Sequence, residues 1–518
     1  MKQYIKLWLA LVFVVAGIQS CYKDKGNYDL IDYNQIKSIR TTTATPVILG
    51  DTLKVDPLIT WKYPDRDTTA FEFEWRQVDS VVSRERNLRY PPDLSGYVMI
   101  YLYVKEKATG ITTRFAMQVQ VVSPYKAGWL FLLNNNGKSG LSFVRRDAKK
   151  DPNNVTYYEY KYYPDLYDNM FPNEPLGDNP RKLITRAFTD YSKDQVLILQ
   201  GNTPVFLNGD DFSKVLSFRN SFPSSSFPNG SYPVNYIDGG TVNYMHGSDG
   251  NIYWKRNSRM MGGIHDGLFI DVPIYFEGGG AHISELVETA YDKSEIVYLY
   301  DDQNKRFVGL YSTSGDNSYV GGKMYLRDAT GSTPPAGWVS LNNQAGYSLK
   351  YCGDYANGVY FINIIKNDAT GQYLMQNYRL AMKYTAIDVS EHQQEVFAGN
   401  GIVSDNTVYH RVFNSTYLFF GEGSKLYFYD VNTKIIRLYH DFGTGTIKKI
   451  VSDAVAGELG ILLDNGRFSI CSLKNEVLGA ANPGQTGILY TVPNVGNVVD
   501  LAWKWGSYFE YTLRRYPG

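Results

Sequence analysis

Apolar and polar residues alternate with period two over long stretches of this chain. In "AFEFEWRQ", Phe71, Phe73 and Trp75 point one way while Glu72, Glu74 and Arg76 point the other. In "GYVMIYLYVKEK", Val98, Ile100, Leu102 and Val104 alternate with Tyr97, Met99, Tyr101 and Tyr103. After the turn "KATG", Phe115, Met117, Val119 and Val121 share a face, and "LGDTLKVDPLI" aligns Leu53, Val55 and Ile59. This is the pattern of half-buried strands. Short strands closed by turn residues within about 100 residues predict a β-sandwich. Trp75 takes the place of an Ig-like core tryptophan, with no cysteine pair beside it.

Beyond residue 124 the pattern becomes a recurring hairpin of apolar strand, polar turn and second strand. "GWLFLLNNNGKSGLSFVRR", "QVLILQGNTPVFLNG", "GSDGNIYWKRN" and "EIVYLYDDQNKRFVGLYS" are followed by "GVYFINIIKNDATGQYLMQNYRLAMK", "STYLFFGEGSKLYFYDVNTKIIRLYH", "GELGILLDNGRFSICSL" and "VVDLAWKWGSYFEYTL". In "LLDNGRFSI", Asn-Gly predicts a type I′ turn. Spacings of roughly 40–65 residues suit four-stranded propeller blades. Eight hairpins, one split between the chain ends, predict seven blades, with six or eight open; further sandwiches are the alternative.

Composition agrees with an all-β fold: 44 Tyr, 25 Phe, 8 Trp and 47 Gly in 518 residues. Lys plus Arg and Asp plus Glu are both 52, and zero net charge argues against a nucleic-acid partner. Apart from Cys21, the chain has Cys352 and Cys471, which could form one disulfide or stay as buried thiols.

The N-terminus is laid out as a secretory signal. Lys2 and Lys6 precede the apolar run Leu7–Ile18, too short for a bilayer span of about 20 residues. Ile18-Gln19-Ser20-Cys21 resembles a bacterial lipobox, which makes Cys21 the lipidation site; a plain cleaved signal or an uncleaved anchor are the alternatives. Lys23, Asp24 and Lys25 resemble an export signal for the outer face of the outer membrane. The expected layout is signal peptide 1–20, tether 21–32, sandwich 33–123 and propeller-like domain 124–518.

The segments "GDTLKVDPLI", "FEFEWRQ", "YVMIYLYVKEKATGITTRFAMQVQVVS" and "GWLFLLNNNGKSGLSFV" together resemble the PKD-like family of Bacteroidota lipoproteins. The resemblance implies an Ig-like PKD module followed by a larger β domain. It also implies a setting beside starch-utilisation-type (SusCD-like) importers, in which a TonB-dependent channel is paired with a SusD-like lipoprotein. Asp51-Thr52-Leu53, Asp67-Thr68-Thr69 and Asp79-Ser80-Val81 resemble the O-glycosylation motif of that phylum, at Thr52, Thr68 and Ser80.

Catalytic motifs are weak. Gly137-Lys138-Ser139 lacks the earlier glycine of a P-loop, since Leu132 stands there. Ser248–Trp254 resembles an Asp-box turn, with its glycine one place early. His246, His265 and His282 have no metal-ligand spacing, and no nucleophile elbow occurs. No catalytic residue, metal or cofactor is expected. The candidate binding groups are aromatic: Tyr157, Tyr158, Tyr160, Tyr162, Tyr163 and Tyr167 in one stretch, and Phe222, Phe227, Tyr232 and Tyr236 in another. Such side chains in loops could grip glycan, peptide or a partner; equally, half could be core. The sequence therefore predicts a non-enzymatic surface lipoprotein with a docking or binding head. A propeller hydrolase or lyase, and a pure scaffold, are the rivals.

Overall fold

The computed structural model describes residues 34–505 apart from 42–46, 65–67, 94–95, 187–194, 239–241, 257–266, 277–278, 288–295, 313–319, 328–332, 356–359, 384–385, 413–414 and 454–456. Cys21, the signal and the tether lie outside the described residues. The chain forms two compact units, 1–122 and 123–518.

In the first unit, Val47–Ile48, Thr112–Val122, Gly96–Glu106, Phe71–Gln77 and Ser80–Ser83 form, in that spatial order, a five-stranded sheet. Two small sheets, Ile36–Arg40 with Leu58–Trp61 and Leu53–Val55 with Leu88–Tyr90, complete the sandwich. Val98, Ile100, Leu102, Val104 and the fully buried Trp75 form its core. The Trp75 indole N–H donates to the Glu85 carbonyl at 3.0 Å, which satisfies the one polar atom that the ring buries.

In the second unit the described strands pair into seven blades. The innermost strands are Pro180–Arg186, Pro233–Asp238, Ile283–Val287, Tyr347–Tyr355, Val408–Arg411, Ile447–Asp453 and Val498–Lys504. Six blades continue outward in chain order. The blade begun by Pro233–Asp238 has three described strands. The seventh is the split one: Val498–Lys504, near the C-terminus, pairs antiparallel with Gly128–Asn135 and so closes the ring. An added join links two neighbouring blades, where Val320–Arg327 pairs in parallel with Ala386–Val396.

Middle strands lie between two neighbouring blades, so both of their faces are buried and they read as continuous apolar runs instead of alternating ones. Along Gly128–Asn135, Trp129, Phe131 and Leu133 enter one interblade core with Phe468, while Leu130 and Leu132 enter the other with Val196. At Gly460 a Cβ would lie 2.6 Å from the Trp129 ring, so the close approach needs glycine. The Asn465-Gly466 hairpin forms, but its turn is not type I′. Gly466 has φ +82°, Asn465 keeps a negative φ, and the Gly466 N–H donates to the Leu463 carbonyl at 3.1 Å. That is a type I turn followed by a left-handed glycine. Cys352 and Cys471 are free thiols on different blades.

Candidate functional site

The seven innermost strands enclose a central channel of about 560 Å³. Its wall carries Lys182, Glu285, Arg411, Lys448, Lys449 and Asp500. Most of its polar groups stitch one blade to the next. The Lys449 ammonium contacts the Asp500 carboxylate, whose other oxygen accepts the Leu183 N–H at 2.8 Å. Lys448 Nζ donates to the Val498 carbonyl at 2.6 Å, and Thr185 Oγ1 to the Trp503 carbonyl at 2.7 Å. Arg411 Nε lies 2.5 Å from Asp354 Oδ1, and His410 Nε2 lies 2.8 Å from Ser452 Oγ.

Two channel groups are shifted by their surroundings. Glu285 is open to channel water yet enclosed by protein on most sides; this enclosure raises its carboxyl, and Lys182 partly offsets the rise. Enclosure also pushes the Cys352 thiol well up, with Glu285 adding to it, so the group stays a neutral thiol and not a nucleophilic thiolate.

Sequence reasoning missed this ring. Seven of the eight apolar hairpins it found are middle strands, and the eighth begins with the innermost strand Val498–Lys504. The innermost strands are short and half polar, as in "KLIT", "SELV", "VYHR" and "IKKIVS", because one side of each meets water. The available signal was a weak strand with a charge just before every strong hairpin.

The aromatic candidates divide between seams and cores. Thr156–Tyr163 is the outer strand of the closing blade, and Tyr157 is its exposed tyrosine. Tyr160 stacks on Tyr490 at 5.4 Å between centroids and donates its hydroxyl to Glu458 Oε1 at 2.6 Å. Tyr162 donates to the Val495 carbonyl at 3.4 Å. Tyr158 lies 4.6 Å from the Arg146 guanidinium, which also covers Trp503 at 4.3 Å. Arg146 contacts Asp453 and lies 3.6 Å from Glu458, all three buried. Burial raises the Glu458 carboxyl to about 7, more than Arg146 and Tyr160 lower it. On the opposite face Tyr163 meets Tyr125 edge-on at 5.8 Å.

Tyr167, Phe222, Phe227 and Tyr236 are buried, not exposed loop aromatics. Phe222 stacks on Phe269 at 4.9 Å and meets Phe227 edge-on at 5.5 Å, since a loop rich in Pro and Phe gains more by covering an interblade core than by facing water. Tyr167 packs on Phe171, and the half-buried Tyr232 ring lies 3.5 Å from the Arg181 guanidinium.

The weak motifs resolve as turns. Gly137, at φ +90°, sits in a hairpin loop. Asp249 accepts from Ser231, Asn251 and Tyr253; burial raises its carboxyl, but these bonds outweigh burial and hold it low. His246 is buried beside the Ile283 carbonyl, and burial lowers its imidazole. His282 pairs with Asp302 at 2.7 Å, and His265 lies outside the described residues. Thr52 and Ser80 are exposed, and Thr68 opens the short turn Thr68–Ala70. Among the described residues no group of three or more His, Cys, Asp or Glu is placed to hold a metal, and no helix is long and apolar enough to cross a membrane.

Residues 21–180 match the PKD-like family. That region covers the sandwich and runs on through the three outer strands of the closing blade. No curated protein matches the chain significantly. Similar solved structures include a quinonprotein alcohol dehydrogenase-like protein from Bacteroides thetaiotaomicron, at 10% identity and TM-score 0.36, covering 92% of this chain and 98% of that one. The β-propeller domain of Cps50 (Swd1) from Myceliophteria thermophila has 9% identity and TM-score 0.37, covering 68% and 97%. Citrobacter koseri AztD has 8% identity and TM-score 0.35, covering 85% and 99%. Likeness at this level carries no argument about activity; the ring of blades stands on its own strand pairing.

Proposed function

We propose that this chain is a non-enzymatic surface lipoprotein, held on the outer membrane by a lipid at Cys21, whose propeller binds or docks. In this reading it is an accessory subunit of a SusCD-like importer, beside a TonB-dependent channel and its SusD-like lipoprotein, with glycan or peptide as cargo. The observation that carries binding over chemistry is how the channel's polar groups are engaged. Lys449, Asp500, Arg411, Lys448 and Thr185 are each held by a neighbouring blade, so they form a fixed, charged wall. A fixed wall suits recognition, which gains from groups already in place. A PKD-like region ahead of such a head supports the surface setting.

The second reading, a channel hydrolase or lyase, is favoured by Glu285, since a carboxyl raised by burial inside a cavity suits a general acid. A mild-detergent pull-down of the tagged, lipidated protein from its own outer membrane, followed by mass spectrometry, tests the first. Stoichiometric recovery of a TonB-dependent channel with a SusD-like lipoprotein is expected. Recovery of the chain alone would overturn the accessory role.

A further inference from the structure

The N-terminal sandwich carries a face that a plain spacer does not need. An antiparallel sheet with one solvated side normally turns polar residues outward. Here the central strand Gly96–Glu106 turns out Tyr97, Met99, Tyr101 and Tyr103 in succession. Tyr97 is 68% exposed and Met99 37%. The neighbouring strand sets Gln120 opposite Tyr97, Gln118 opposite Met99 and the small Ala116 opposite Tyr101. Amides and a small side chain therefore flank the row on this side, and Arg76 and Glu74 stand opposite Tyr101 and Tyr103 on the other. At about 3.4 Å per residue, Tyr97, Tyr101 and Tyr103 span roughly 20 Å in a line.

The charges on this face are unequal. Four cations, Arg76, Arg84, Lys105 and Arg114, stand against Glu72 and Glu74. Glu74 takes Arg76 at 2.6 Å and Arg84 at 3.8 Å, and Glu72 takes Lys105 at 3.8 Å. Arg114 has no carboxylate among the described residues; its guanidinium lies 5.2 Å from the Tyr101 ring centroid. Arg76 lies likewise 5.3 Å from the Tyr103 centroid. The Arg76 edge is occupied by Glu74, whereas Arg114, held only against a ring, keeps its edge for a carboxylate.

We infer that this face of the sandwich is a binding platform for an acidic polysaccharide, a linear glycan whose sugars bear carboxylates. A sugar ring stacks on the exposed Tyr97, the glycan continues along the row, Gln118 and Gln120 bond hydroxyls, and Arg114 pairs with a carboxylate. The row's linear form fits an extended chain, and the surplus of cations fits an anionic one. The platform is independent of the propeller channel and of any importer.

The test uses the full mature chain in affinity electrophoresis and calorimetry, with polygalacturonate as the acidic probe and amylose as the neutral one. Polygalacturonate should bind and amylose should not, with affinity falling as salt rises. Tyr97→Ala and Arg114→Gln should each weaken binding by about tenfold, while Tyr97→Phe, which keeps the ring, should not. Lys54→Gln removes an equal charge from an exposed position on the opposite small sheet and should leave binding unchanged. The inference fails if polygalacturonate is not bound, or if Lys54→Gln costs as much as Arg114→Gln. It fails also if amylose binds equally well. Tyr97 cross-linking to a protein in place of glycan would overturn it too. Unchanged melting curves for the variants separate lost binding from lost folding.

Discussion

Two tyrosine-rich strands of this chain have opposite fates. Thr156–Tyr163 reads "TYYEYKYY" and looks like a recognition loop; Gly96–Glu106 reads "GYVMIYLYVKE" and looks like an ordinary sandwich strand. The first spends Tyr158, Tyr160 and Tyr162 on a buried seam between blades. The second has a core on one side only; on its other side Tyr97 is exposed, and Tyr101 and Tyr103 are half-buried with no second layer of described residues over them. Tyrosine count does not separate the two. What separates them is whether a second layer arrives on the other face. In a ring of blades it does, and in the solvated sheet of a sandwich it does not.

The contrast is broken most severely at Arg146. This side chain holds two carboxylates, Asp453 and Glu458, across the seam of the blade that closes the ring. Arg146→Ala strands the Asp453 anion in a buried site and leaves Glu458 to take up a proton, and removing one partner of a buried pair costs about 3–5 kcal/mol. Chemical denaturation should show that loss. A change below about 1 kcal/mol would mean that the seam tolerates an uncompensated charge and that the tyrosines around it are not structural.

The same seam should respond to pH. Glu458 has a carboxyl raised by burial to about 7, above its ordinary value of 4.5. The folded state then holds this proton more tightly than the unfolded one. Its contribution to stability is fullest at low pH, falls as pH rises from about 4.5 to 7, and is level above that. Over that window the fall should be about 1–3 kcal/mol. Arg146, Asp453 and Tyr160 face the same carboxyl and set how much of it survives. Glu458→Gln should flatten that part of the stability–pH curve. An unchanged slope in the variant would assign the dependence to another group.

Much of the architecture could be read in advance, and what could not has a physical pattern. Strands buried on both faces, such as Gln195–Gln200 and Glu458–Leu463, announce themselves as apolar runs. The sequence predicts a hairpin split between the chain ends, though Val498–Lys504 reads as the first strand of an ordinary hairpin and not as the closing one. The channel charges were silent because Lys182, Glu285 and Asp500 sit in short strands with mixed patterns. Their meaning comes from seven such strands meeting at one axis, a juxtaposition separated by more than 300 residues of chain. Phe222 and Phe227 misled for the converse reason: a loop rich in Pro and Ser folds its aromatics inward when an interblade core lies beneath it. Local pattern reports which side of a strand is apolar. It does not report what covers the other side.

The mildest change sharpens the comparison from the sandwich side. Tyr97 is 68% exposed and belongs to no core. If its ring is at the surface for packing, Tyr97→Ala loses strand propensity and cross-strand contact with Gln120, which together are worth up to about 1 kcal/mol. If the ring is there for a ligand, the stability cost should stay within about 0.5 kcal/mol, the range of surface changes that touch no special feature. We expect the smaller value by urea denaturation of the full chain, with the slope against urea unchanged. A loss near 2 kcal/mol would place Tyr97 with Tyr160 as a structural tyrosine and remove the difference between the two strands. The small loss keeps the difference, because a large aromatic that the fold can lose at no cost in stability is held at the surface by something other than folding.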